Sequence, residues 1–89
     1  MSDPKDSYQD FKEKLDNEHK WPTTYMFKFV VPSSNVSELK GVLSGEALQE
    51  KPSKSGKYVS ITLQKRMNSS DEVVDIYMKT KHVEGLIAL

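Results

Sequence analysis

Lys57-Tyr58-Val59-Ser60-Ile61-Thr62-Leu63-Gln64-Lys65 carries an aliphatic side chain at every second position, then passes through a short polar bend into Ser69-Ser70-Asp71-Glu72. A period of two is that of a strand with one dry face. Val59, Ile61 and Leu63 point one way, and Tyr58, Ser60, Thr62 and Gln64 point the other. Beyond the bend, Ser69 and Glu72 stand at capping-box spacing, and Asp71 and Glu72 sit where the positive end of a helix dipole favours acids. Val73, Ile76, Tyr77 and Thr80 then recur at helical spacing as an inner face, with Lys79, Lys81 and His82 at the C-terminal end, where cations are favoured. A half-buried strand feeding an amphipathic helix implies a sheet with helices packed on one side.

Working upstream, Ser53-Lys54-Ser55-Gly56 reads as a hairpin loop that joins this strand, residues 57–66, to a weaker one over 46–51. Pro52 cannot donate to an interior ladder, so the weaker strand belongs at an edge. Before it, Asn35 and Glu38 have capping-box spacing for a short helix carrying Val36, Leu39, Val42 and Leu43, with Gly45 as its stop. A further strand covers residues 25–31 and ends at Pro32. Its Tyr25, Phe27, Phe29 and Val31 form the core face, opposite Met26, Lys28 and Val30. Trp21-Pro22 separates it from an N-terminal helix in which Tyr8, Phe11 and Leu15 share a narrow apolar stripe, capped by Ser7 or Asp6. Such a helix is marginal alone, so the stripe is expected to dock on the domain or on a partner. Residues 1–6 are polar and are expected to stay mobile. Downstream, Val83-Glu84-Gly85-Leu86-Ile87-Ala88-Leu89 closes the chain as a short apolar strand.

After the N-terminal helix the order is therefore strand, helix, strand, strand, helix, strand. Two right-handed crossovers joined by a hairpin place the strands in the order 4-1-3-2. The fold class is α+β: a ferredoxin-like βαββαβ sandwich over residues 21–89, with an antiparallel sheet and an extra N-terminal helix within residues 1–20. The well-patterned first and third strands then take the centre of the sheet.

The run Trp21-Pro22 with its aromatic strand, then Ser53-Lys54-Ser55-Gly56-Lys57-Tyr58-Val59-Ser60-Ile61-Thr62, then the acid-started helix with Ile76-Tyr77, resembles the small uncharacterised bacterial proteins of the YbeD-like family. Those proteins share a strand reading polar turn, Gly, Lys or Asn, Tyr, aliphatic, Ser, aliphatic, Thr, and their fold is described as ACT-like. The resemblance covers residues 21–89. It implies a fold and carries no catalytic residue. The N-terminal helix and the short first helix of the domain depart from the commoner family pattern.

At 89 residues the chain is one domain, near the size at which a single core just offsets the entropy of ordering it. Thirteen basic and thirteen acidic residues cancel, so no whole-molecule field steers the protein to nucleic acid or to an anionic membrane. The absence of cysteine removes disulfides, thiolate metal sites and a Cys nucleophile, and makes the reducing cytoplasm the default compartment. No signal-peptide pattern opens the chain and no segment has the length of a membrane span, so a soluble cytoplasmic protein is expected.

Catalysis is not expected. His19 and His82 have no ligand-spaced partners, and the glycines at 41, 45, 56 and 85 are too dispersed for a phosphate-cradling loop. Carboxylates fall on polar helix faces, where solvation rather than acid–base work is the ordinary role. A phosphatase of this topology would present an arginine after the first strand, and Pro32-Ser33-Ser34-Asn35 has none. Ser33, Ser34 and Asn35 remain a candidate ligand loop for a carboxylate or phosphate at a helix start. No cofactor or metal is implied.

The expected role is a regulatory or protein-interaction module acting on a protein partner. The ACT-like resemblance implies pairing through sheet edges or helices, hence a candidate homodimer, and a small amino-acid-like effector as the alternative; yet no glycine lies between Pro32 and Val36 to let a ligand approach the backbone. RNA binding through the open sheet face ranks last, because Tyr58 is the one ring placed there. Tyr8, Phe11 and Leu15 on the N-terminal helix, and Leu86, Ile87 and Leu89 on the unblunted terminal edge, are the candidate interface residues.

Overall fold

The computed structural model describes residues 8–89. Its elements run α1 (Gln9–Glu18), β1 (Thr23–Pro32), a 3-10 turn (Ser33–Asn35), α2 (Val36–Val42), β2 (Leu48–Pro52), β3 (Tyr58–Met67), α3 (Ser70–Thr80) and β4 (Ile87–Ala88). The architecture is α+β, with three α-helices and one open four-stranded antiparallel sheet among the described residues. The sheet order is β2-β3-β1-β4, which read from the far edge is β4-β1-β3-β2.

β1 and β3 are the longest strands and pair along their full length, from Thr23 opposite Met67 to Pro32 opposite Tyr58. That register sets Phe27 beside Leu63, Phe29 beside Ile61 and Val31 beside Val59, so odd-numbered side chains of both strands share one face. All six are buried, and they form one cluster with Leu15 of α1, Leu39 of α2, and Val73 and Ile76 of α3. Every helix therefore contributes to one apolar layer on one side of the sheet. Pro52 ends β2, an edge strand, where its missing N–H costs no interior ladder bond.

α3 starts as its sequence dictates. The Ser69 hydroxyl accepts a hydrogen bond from the Glu72 N–H at 3.3 Å, while the Glu72 carboxylate reaches back to the N–H of Asn68 at 2.6 Å, one residue before the cap. Lys12 of α1 pairs with Asp71, tying the two helices together at the surface.

Two local expectations are corrected. Asn35 stands at the N-cap position of α2, as expected, but its side chain makes no capping bond; a 3-10 turn precedes the helix, and the Asn35 amide instead donates to the Glu84 carbonyl at 2.7 Å. The terminal strand is two residues long, because residues 80–86 are used in turns, with Val83 N–H donating to the Thr80 carbonyl and Leu86 N–H to that of Val83. Of the two docking places open to the N-terminal helix, it takes the domain, packing in the helical layer with Phe11 edge-on to Tyr77, ring centroids 5.6 Å apart. Its start at Gln9 has no side-chain cap from Tyr8, and residues 6 and 7, the expected caps, lie outside the described residues, as do residues 1–5.

Candidate functional site

The face of the sheet turned away from the helices is built by the other half of the same alternation. Met26, Lys28 and Val30 of β1 stand beside Gln64, Thr62 and Ser60 of β3, flanked by Gln49 and Lys51 of β2 and by Ile87 of β4. Leu89 continues the β4 register, since its N–H donates to the Lys28 carbonyl at 2.9 Å. Met26, Tyr58, Ile87 and Leu89 are the large hydrophobic side chains left exposed among the described residues, at 47, 48, 55 and 72%. All four belong to this face. Single exposed apolar residues need no explanation, but their convergence on one surface does.

The charges on this face are of one sign. Lys28, Lys51 and Arg66 belong to it by register, and no Asp or Glu does. The neighbouring carboxylates are turned the other way: Glu50, opposite Ile61, lies on the helical side and pairs with Lys40 of α2 at 2.7 Å. A depression of about 470 Å³ opens among Lys28, Gln49, Lys51, Ser60, Thr62 and Leu89. A protein of zero formal net charge thus presents a locally cationic, partly apolar plane.

A second concavity, about 450 Å³, lies where β4 stops short along β1, walled by Tyr8, Phe11, Tyr25, Tyr77, Lys81 and Leu86. The hydroxyls of Tyr25 and Tyr77 are 3.2 Å apart at its base, and the Tyr25 ring also meets Phe27 edge-on. Burial, and secondarily the hydrogen bond and the charge of Tyr25, push the Tyr77 phenol well above its ordinary ionisation range. Tyr77 is therefore a neutral donor or acceptor at physiological pH.

The expected ligand loop is occupied by its own framework. The Ser33 hydroxyl donates to the Gly56 carbonyl, the Ser33 N–H to that of Lys57 at 2.9 Å, and Asn35 to that of Glu84. These bonds tie the loop to the β2–β3 hairpin and to the turn before β4, and leave Ser34 exposed beside them. Of the expected interface residues, Ile87 and Leu89 are exposed on the open face, whereas Leu15 is buried in the core and Phe11 and Leu86 pack against it. Tyr8 is half-buried at the mouth of the second concavity. Sequence reasoning did not single out the Tyr25–Tyr77 contact, whose partners are 52 residues apart. Among the described residues no cluster of three His, Cys, Asp or Glu side chains could hold a metal ion, and no helix is long and apolar enough to cross a membrane.

A family model described as protein of unknown function, DUF493, matches residues 16–89. The chain belongs to the DUF493 family. The family match takes in the whole sheet, α2 and α3, whereas most of α1 precedes it. Neither a curated protein nor a solved structure gives a match to the chain.

Proposed function

We propose that this DUF493 domain is a non-catalytic interaction module of ferredoxin-like, ACT-like architecture, docking on a partner protein through the open face of its sheet. The observation that carries the reading is the gathering of Met26, Tyr58, Ile87 and Leu89 on a face whose charges are Lys28, Lys51 and Arg66. A partner that fits has an apolar patch ringed by carboxylates. Buried apolar anchors supply affinity, and the cationic rim supplies orientation and encounter rate. A role in regulation follows if the partner is an enzyme or a transcription or translation factor. A cysteine-free chain suits the cytoplasm, where such partners reside.

RNA is the weaker occupant, because base stacking calls for two or three rings on the sheet and Tyr58 is the one aromatic side chain there. The test is affinity capture on the intact protein, followed by purification of the retained protein and calorimetric titration. Met26→Glu with Ile87→Glu should weaken that purified pair by more than tenfold, on the order expected for two buried apolar anchors. Lys14→Glu, on the exposed face of α1, should not. Equal affinity of the open-face variant and the wild-type protein would refute the assignment, as would retention of single-stranded RNA in place of any protein.

A further inference from the structure

β1 runs from Thr23 to Pro32, but β4 pairs only with its Phe29 and Val30. The Leu89 N–H adds one bond, to the Lys28 carbonyl. Backbone groups of an antiparallel strand alternate between its two neighbours. Lys28 turns its carbonyl toward β4, so Thr24 and Met26, of the same parity, turn their N–H and C=O groups outward past the end of β4. No strand pairs with them among the described residues. Exposed ladder groups of this kind are a template for another strand.

The second concavity lies along the same stretch. Ala88, opposite Phe29, borders it, as does Tyr25, four residues back along β1. A strand prolonging the line of β4 would alternate in the same way. Its residues opposite Phe27 and Tyr25 would face the hollow, and those opposite Met26 and Thr24 would face the open side of the sheet. The hollow offers aromatic walls from Tyr8, Phe11, Tyr25 and Tyr77, three phenol hydroxyls, and one basic side chain, Lys81. That chemistry accepts a large apolar side chain together with a carboxylate.

We propose that an extended peptide segment of the partner adds to the sheet beside Thr24 and Met26, antiparallel to β1, placing an apolar side chain against Tyr25 and Tyr77 and an acidic one near Lys81. This deepens the interaction reading given above, from a face to a mode of recognition. Main-chain hydrogen bonds supply part of the affinity, and the hollow selects alternate side chains.

The probe is the capped pentapeptide Glu-Thr-Phe-Thr-Phe, titrated into the intact, isotope-labelled protein while amide resonances are followed. Saturable shifts centred on Thr24, Met26 and Lys81 are expected, with slowed hydrogen exchange at Thr24 and Met26. N-methylating both threonines removes the donors aimed at β1 and should weaken binding about tenfold or more, whereas N-methylating the phenylalanines, whose N–H groups point away, should not. Ala88→Trp, which fills the hollow from an exposed position, should abolish the shifts while the thermal transition is kept. Loss of the same size from either pattern of N-methylation overturns the strand register. Absence of saturable shifts overturns strand addition itself, while the calorimetric effect of the Met26 and Ile87 substitutions, measured with the full partner, decides the face independently.

Discussion

The hydroxyls of Tyr25 and Tyr77 meet at 3.2 Å, joining the first central strand to the last helix across the edge that β4 leaves uncovered. Burial, more than this contact, keeps the Tyr77 phenol protonated far into the alkaline range. The consequence for stability has a definite sign. Below about pH 10, the ordinary phenol value, Tyr77 holds its proton in both folded and unfolded chains and contributes no slope. Above it the unfolded chain has released the proton and the folded one has not, so stability falls as pH rises through the window up to the raised folded value. Tyr77→Phe should therefore flatten the decline of stability above about pH 10 by up to roughly 1.4 kcal/mol per pH unit. Urea denaturation at a series of alkaline pH values reads this directly; an unchanged slope would exclude the buried phenol as its source. Tyr25→Phe should flatten it less, because it removes the lesser causes and leaves the burial.

Gly85 lies against Pro32, at the turn that brings the chain back to the sheet. Its φ is +76°, and a Cβ there would stand 2.7 Å from the Pro32 Cγ and 3.0 Å from its Cδ. Gly85→Ala thus combines left-handed backbone strain with overpacking, and a loss of about 2–4 kcal/mol is expected. Gly41, inside α2, is the opposite case, because a Cβ added there would meet nothing within 4 Å. Gly41→Ala should stabilise by about 0.5–1 kcal/mol through helix propensity. Chemical denaturation of the two variants should shift the midpoint in opposite directions.

What could be read from the chain follows the range of the forces involved. The alternation of Val59, Ile61 and Leu63, and of Phe27 and Phe29, is local and fixes which side of each strand is dry, and the structure buries all five. The Ser69 cap is equally local and is present. Asn35 misleads because its spacing to Glu38 resembles a cap, while its amide is taken by the Glu84 carbonyl, 49 residues away. The stretch 83–89 is apolar enough for a longer strand, but Gly85 at positive φ and the buried Val83 commit its first half to a turn. At the candidate surface, Ile87 and Leu89 were legible as exposed edge residues. Leu15 and Phe11 were not separable from them, since a narrow stripe looks the same whether it meets a partner or its own domain.

Ser69→Ala tests whether the local signal that starts α3 has energetic weight in the folded protein. The hydroxyl accepts from the Glu72 N–H, while the Glu72 carboxylate is held by Asn68, with Oε2 accepting from its N–H and Oε1 from its amide at 3.2 Å. A cost of about 1 kcal/mol is expected, with Ser69→Asp close to neutral. Thermal unfolding of the three proteins side by side orders them; a Ser69→Ala variant as stable as the parent would show that tertiary packing alone sets the helix start.

Leu15 decides whether α1 is part of the domain or an appendage. It is 3% exposed and belongs to the same cluster as Phe27 and Ile76, although it stands just before the stretch matched by the family. If α1 is integral, Leu15→Ala opens a cavity in the shared core and lowers stability by about 2–5 kcal/mol, the range for truncating a buried leucine. Phe11→Ala should cost less, since Phe11 is only partly buried and gives up an edge-on contact with Tyr77 rather than a place in the interior. Both losses should appear in a single cooperative transition, with helical and aromatic signals unfolding together. A separate early melting of helical signal, with the aromatic transition unmoved by Leu15→Ala, would instead make α1 an independent element and free its stripe for a partner.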